Sequence, residues 1–336
     1  MKATAVRVGG NMLKAYCLRG GVLEDILVTG DGPVPADAIW LDLFAPLPDE
    51  DLLVERALNI SVPTREEMVE IEPSSRLYVE DGALFMTGSV LCAAESERPT
   101  ITAVSFILAR GKLVTVRYDE PKPFRLLIAK LGRACPQQLT GTALLLELLD
   151  AIIDRAADII EHLGTEIDGT SQRIFERNGG RTDQNTRYRA LLRIIAKKGD
   201  LASKVRESLV SIARLVTFLS GENGEVGLNK DQKAELKSMQ RDVSSLTDHV
   251  SYLGSKITFL LDATLGLVSI EQNNIIKIFA VLSVVLMPPT LIASIYGMNF
   301  EHMPELAERW GYPLALLAML IAAIVPYWFF KWKRWL

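Results

Sequence analysis

Apolar and polar positions follow three successive patterns along this chain. Up to about residue 135, short runs rich in β-branched residues, "ATAVRVG", "AIWLDLF", "ALFMTGSVL" and "ITAVSFILARGKLVTVRYDE", are mixed with amphipathic helical stretches such as Asp49 to Leu58. That mixture predicts an α/β domain, and "ILARGKLVTVRY" predicts a hairpin turning at Arg110 and Gly111. From about Thr140 the period becomes helical, broken only by the turn-rich "RNGGRTDQN" and "SGENGEVGLN". A last helix is expected to begin near Lys230 and to meet no proline before Pro288. Some 65 residues at 1.5 Å each would make it roughly 100 Å long.

The third pattern is uncharged. Phe279 to Tyr296 and Tyr312 to Phe330 contain no Asp, Glu, Lys or Arg, and each approaches the ~20 residues that cross ~30 Å of hydrocarbon as a helix. These are read as two membrane spans. The expected organisation is a cytoplasmic α/β domain (1–135), a helical domain with its stalk helix (136–274), a first span (275–296), a periplasmic loop (297–311), a second span (312–330) and a basic tail (331–336). The chain has 336 residues, 49% of them hydrophobic, and a formal net charge of −4.

Charge sets the expected topology. The amino-terminal "MKATAVRVGGNMLKAYCLRGG" has no continuous apolar core of the signal-peptide kind, so the large amino-terminal part is expected to stay on the side where it is made. Cys17, Cys92 and Cys135 are odd in number and scattered, which suits a reducing cytoplasm. Lys331, Lys333 and Arg334 follow the second span directly, whereas the loop between spans carries Glu301, Glu305 and Glu308 against Arg309. The positive-inside rule then puts both termini in the cytoplasm, with Trp328, Trp332 and Trp335 as an interfacial belt.

Enzymatic machinery is not written in the sequence. There is no G-x-x-x-x-G-K-[ST] phosphate loop, no Cys-x-x-Cys, and His162, His249 and His302 lie far apart. No nucleophile-elbow context is present either, and nothing points to nucleic acid. The first span offers more. Steps of three or four from Asn273 pass through Ile276, Ala280, Ser283, Met287, Thr290 and Ser294 to Met298, which gathers polar and small residues on one stripe. Such a stripe serves either tight helix packing or a pore. Pro288 and Pro289 leave the carbonyls of Val284 and Val285 without their helical donors, and in lipid those need neighbours or water.

The segment "IEQNNIIKIFAVLSVVLMPPTLIASIYGMNFEHMPELAERWGYP", followed by a second span ending in "KWKRWL", resembles the CorA family of magnesium transport proteins. Tyr296, Gly297, Met298 and Asn299 match that family's Tyr-Gly-Met-Asn signature, and "MPEL" and "GYP" match its magnesium-transporting branch. "LDLFAPLPDEDLLVERALNISVPTREEMVEIEPSSRLY" is similar too, so the resemblance covers nearly the whole chain. It implies a homopentameric, funnel-shaped channel of the inner membrane that carries Mg²⁺ and also passes Co²⁺ and Ni²⁺. Its partners would be copies of itself, the bilayer and divalent cations.

Mg²⁺ demands near-octahedral oxygen and gives up water reluctantly, so a fast pore should recognise the ion through its waters. A ring of Asn299 carboxamides would supply neutral acceptors, and Gly297 would let the backbone leave the helix beside it. Glu301 and Glu305 would concentrate cations outside. The resemblance further implies Asn273 as a polar ring, Ile276, Phe279 and Met287 as apolar constrictions, and Thr290 as a second polar ring, with Ser283 on the same stripe. Lys277, Lys331, Lys333 and Arg334 would form a basic collar, or else anchor to lipid headgroups.

One more pattern is acidic. Glu147, Asp150, Asp154, Asp158 and Glu161 recur at helical spacing, where like charges repel. They are either a solvated face paired with cations or a weak Mg²⁺ sensor, for which Asp242 and Asp248 are further candidates. A zinc or cobalt transporter of the same superfamily and a membrane-anchored scaffold are the alternative readings.

Overall fold

The computed structural model describes residues 13–28, 32–70, 72–133, 136, 139–176, 184–221, 228–298 and 310–333. The chain divides into two units, Met1–Gly179 with Leu191–Leu260, and Gly180–Ala190 with Leu261–Leu336. The first contains a seven-stranded sheet of β1 (Leu13–Arg19), β2 (Val22–Leu27), β3 (Ala38–Phe44), β4 (Leu77–Glu80), β5 (Ala83–Cys92), β6 (Thr100–Ala109) and β7 (Lys112–Arg117). Its spatial order is β2-β1-β3-β7-β6-β5-β4. All neighbours are antiparallel except β3 and β7, which pair in parallel from Trp40 opposite Leu113 to Phe44 opposite Arg117.

Turn chemistry fixes the hairpins. Arg110 and Gly111 join β6 to β7 with φ of 50° and 77°, the left-handed pair that a two-residue hairpin turn requires. Gly20 and Gly21 do the same between β1 and β2, a hairpin that the sequence reading did not anticipate. The run "ATAVRVG", expected as a strand, lies outside the described residues.

Strand alternation gives the sheet two buried faces. Leu13, Ala15, Leu41, Leu43, Ile107, Val114 and Val116 pack against Val54 and Leu58 of α1 (Pro48–Leu58) and Met68 of α2 (Arg65–Val69). On the other face Tyr16 stacks on Trp40 at 4.4 Å between ring centroids, and Trp40 and Phe106 both approach Phe124 of α4 (Lys122–Leu131). A buried ion pair crosses the parallel seam: Arg117 Nη2 lies 2.8 Å from Asp42 Oδ2. Thr115 Oγ1 donates to Asp42 at 2.7 Å and accepts from Trp40 Nε1 at 2.9 Å. The guanidinium sits between the rings of Phe44 and Phe124 at 4.6 and 4.8 Å. With its lone pairs satisfied in this way, a buried carboxylate is tolerable, and removing either partner would cost about 3–5 kcal/mol.

Short α3 (Pro73–Arg76) precedes β4, and long helices complete the chain: α5 (Gly141–Phe175), α6 (Gln184–Ser220) and α7 (Lys230–Tyr296). The first turns of α5 and α7 are capped by side chains. Thr140 Oγ1 accepts from the Ala143 amide at 3.2 Å, and Asn229 and Gln232 exchange side-chain and backbone bonds at 2.8 and 3.0 Å. In the first unit Gly88 of β5 lies against α6, where a Cβ would be 2.6 Å from Leu215 Cδ1.

The second unit holds α7 from Leu261 onward and α8 (Gly311–Trp332). Each carries an apolar window long enough to cross a membrane, and only 6% of each window is buried within the chain. Pro288 and Pro289 lie inside α7 without ending it.

Candidate functional site

Three-residue and four-residue steps put the expected stripe on one side of α7, within an apolar span that the chain itself leaves almost wholly uncovered. Asn273, Ser283 and Thr290 are exposed, as are Ile276, Phe279 and Met287, the last two at 65% and 67%. Val281 is the buried residue of the apolar part of α7. At ~100° per residue it lies about 180° around the helix from Thr290 and about 120° from Met287. Leu282, Leu286 and Leu291, off the stripe, are exposed as well, so nearly the whole circumference of the span is left for other partners. Ser283 Oγ donates to the Phe279 carbonyl at 2.9 Å and Thr290 Oγ1 donates to the Leu286 carbonyl, so each hydroxyl keeps acceptor lone pairs for a neighbour or for water.

At the end of the stripe, Gly297 does not take a left-handed conformation. Its amide still bonds the Ala293 carbonyl at 3.0 Å, and Met298 closes a tighter turn onto Ile295 at 3.2 Å. The helix ends at Tyr296, so the backbone leaves it at Gly297 through this closing turn. What glycine supplies is clearance, because a Cβ would stand 3.2 Å from the Ala293 oxygen. Asn299, Glu301, Glu305 and Arg334 lie outside the described residues. Lys277, Lys331 and Lys333 are exposed, and Lys333 Nζ sits 5.8 Å from the centre of the Trp332 ring.

The acidic stripe of α5 divides in two. Glu147, Asp150 and Asp154 share an electrostatic environment with two carboxylates of α7. The Asp150 carboxyl is held above its ordinary range by partial burial first, then by Asp154, Glu147 and Asp242, with Lys130 opposing. Glu235 is raised likewise, by burial and then by Asp150 and Glu147. Lys130 of α4 bonds Glu147 at 2.8 Å. Glu235 was not singled out from the sequence; its signal was an acid two helical turns before Asp242, on the same face.

Asp158 belongs elsewhere: it lies 3.8 Å from Arg155, whose guanidinium bonds Glu95 at 2.6 Å. Asp248 lines a separate groove between α6 and α7. Among the described residues, no three His, Cys, Asp or Glu converge to hold a bare metal ion. Facing carboxylates of this kind suit a hydrated ion, which is held through its waters at longer range.

A further perturbed carboxyl is Asp51 on α1. Burial first, then Glu55 and Glu50, push it up to about 6, and its Oδ1 has no hydrogen-bond partner.

Comparison with known proteins follows from this geometry. A family profile described as "CorA-like Mg2+ transporter protein" matches residues 35–334. The magnesium transport protein CorA of Escherichia coli K12 is 36% identical over 327 residues, which span 97% of this chain and 100% of the relative. The protein of the same description from Pasteurella multocida is 36% identical over 299 residues, 89% and 92% of the two chains. Among solved structures, the complete CorA magnesium transporter of Methanocaldococcus jannaschii superposes with a TM-score of 0.74 at 18% identity, covering 98% of this chain and 100% of that one.

Proposed function

The chain belongs to the CorA-like Mg²⁺ transporter family and transports Mg²⁺, and we propose that it does so as a homopentameric channel of the inner membrane with both termini cytoplasmic. Two spans cannot enclose an aqueous path, so the pore forms between copies. The observation that carries this is the uncovered span of α7, on which polar and small residues share one stripe among exposed apolar side chains. Five such stripes around an axis would present Asn273, Ile276, Phe279, Ser283, Met287 and Thr290 to the ion.

Selection occurs at Asn299, whose carboxamide oxygens accept hydrogen bonds from the waters of the hydrated ion. Carboxylates in that position would hold the ion too tightly to release it. Glu301 and Glu305 raise the local cation concentration, while Lys277, Lys331, Lys333 and Arg334 form a basic collar. Co²⁺ and Ni²⁺, of similar hydrated size, also pass. The membrane potential supplies the driving force, ~2.3 kcal/mol per charge per 100 mV and about twice that for a divalent ion.

Mg²⁺ also regulates. Repulsion between the carboxylates of α5 and α7 favours a splayed arrangement, and hydrated Mg²⁺ among Asp150, Asp154 and Asp242, with Asp158 and Asp248 as outlying candidates, favours the closed one. Binding shifts that balance only by its differential affinity for the two states.

The relatives matched end to end are magnesium transport proteins, which weighs against zinc or cobalt as the principal cargo. The deciding experiment is Mg²⁺ flux into proteoliposomes. Wild type should conduct and Asn299→Ala should not, with oligomer size unchanged. A membrane-tethered scaffold gives no flux in either, and a purely structural Asn299 gives a poorly assembled variant with normal flux per channel.

A further inference from the structure

Away from the α7 stripe and the carboxylates, the seam between β5 and α6 concentrates positive charge. Arg76, Arg206 and Arg214 line a cavity of about 490 Å³ with Ser89, Ser203 and Ser211, and Glu207 is its single carboxylate. The floor is fixed. The Ser89 amide donates to Ser211 Oγ at 2.8 Å, and Arg76 Nη1 donates to Ser89 Oγ at 3.4 Å. Arg76 is held from behind by its Nε bond to the Glu70 carbonyl. Gly88 beside this floor permits the close approach of the helix.

Several cations elsewhere in the first unit are paired with carboxylates, Lys122 and Arg155 with Glu95, Lys198 with Glu166, Lys204 with Asp200 and Lys256 with Asp168. Among the described residues Arg206 and Arg214 join no ion pair. A second groove of about 780 Å³ adjoins it, sharing Val210 and Arg214 and walled by Leu77, Phe218 and Val243, with Asp248 at its lining.

We propose that this is a binding site for a phosphate-bearing small molecule of the nucleoside polyphosphate class, with its phosphates on the three arginines and its flat apolar body in the adjoining groove. Guanidinium forks match phosphate oxygens in pairs, and hydroxyls complete the set of donors. Both cavities fall in the ~300–1,000 Å³ range of small-molecule sites. The hydroxyl floor is reached from within the cavity, which favours a small oxyanion over a carboxylate carried on the surface of a neighbouring helix.

The test is equilibrium binding to the detergent-solubilised full chain, without Mg²⁺, using ATP, inorganic tripolyphosphate and adenosine as probes. ATP should bind saturably, tripolyphosphate more weakly, and adenosine least. The double variant Arg206→Gln, Arg214→Gln removes two exposed cations with little effect on folding, checked by thermal unfolding. It should weaken ATP on the order of a hundredfold, as expected for losing two charge-assisted contacts. Glu207→Gln should tighten ATP several-fold, because it removes the carboxylate that lines the arginine cavity, and no structural role of Glu207 would do so. Absence of saturable binding by ATP and tripolyphosphate, or equal affinity in wild type and double variant, overturns the proposal. So does a double variant whose only change is a smaller assembly, which would make a neighbouring copy the occupant.

Discussion

The amide of Gly141 donates to the carbonyl of Gly111 at 3.1 Å, fastening the first turn of α5 to the turn between β6 and β7. A Cβ at position 141 would lie 2.6 Å from both Leu113 N and the Lys112 carbonyl carbon. These are backbone atoms of a tight hairpin and have no rotamer to escape into. Gly141→Ala should therefore destabilise the protein by about 1–3 kcal/mol, the usual cost of overpacking. Gly164→Ala, in the same helix with its nearest neighbour at 3.9 Å, should instead stabilise by roughly 0.4–1 kcal/mol. Thermal unfolding of the two solubilised variants checks the contrast.

Flux should respond to the apolar ring at Met287. Met287→Ser makes that ring smaller and wettable, which lowers the dewetting barrier. Basal Mg²⁺ leak at high internal Mg²⁺ should rise several-fold in proteoliposomes with cation selectivity unchanged. An unchanged leak would move the closure to Ile276 or Phe279.

The carboxylates shared by α5 and α7 give a pH signature. Asp150 and Glu235 are raised above their unfolded values, so the folded state holds protons that the unfolded state has released. Their contribution is intact at low pH and is lost as pH rises through the raised values. Without divalent cations, stability should fall as pH climbs past the ordinary carboxylate range, and added Mg²⁺ should restore it more at pH 7.5 than at pH 5. In Asp150→Asn with Glu235→Gln, both the fall and the restoration by Mg²⁺ should shrink. An undiminished Mg²⁺ effect would place the sensing ion elsewhere.

Asp51 makes a second, separable contribution. Its carboxyl, pushed up to about 6, also costs stability once ionised, over the window from the normal Asp value to about 6. Solvent screening of a partly exposed group reduces the effect to roughly 1 kcal/mol. Asp51→Asn should raise the melting temperature at pH 8 and leave it unchanged near pH 4.

Local pattern was enough for the β6–β7 hairpin, whose Arg-Gly turn lies between alternating strands, and for the start of α7 at Lys230, where Asn229 and Gln232 form the cap. The β1–β2 hairpin was hidden because Ala15 to Leu18 is apolar at four successive positions and shows no alternation. Helical spacing grouped Asp150, Asp154 and Asp158, yet eight residues carry a helix ~80° past two full turns. Asp158 thereby turns away from Asp150 to meet Arg155. The partners Glu235 and Asp242 come from α7, and the arginine cavity joins α3 to α6. Neither juxtaposition has a local signature, because each depends on how helices pack across some 90 to 140 residues of chain.

The parallel pairing of β3 with β7 divides the assembly of the sheet in time. Strands β1 to β3 form one antiparallel group, with β1 between β2 and β3, and β4 to β7 form a meander of successive hairpins. Only the β3–β7 seam joins them, across 73 residues between Asp42 and Thr115. Loop closure over that span makes the seam the slow, entropically expensive event. The Asp42–Arg117 pair and the Trp40–Thr115 bond lie on it, so both are made only when the two halves meet. A ribosome that has released β3 must still deliver every later strand before this carboxylate finds its guanidinium, and until then the amino-terminal three strands carry an unpaired edge at β3.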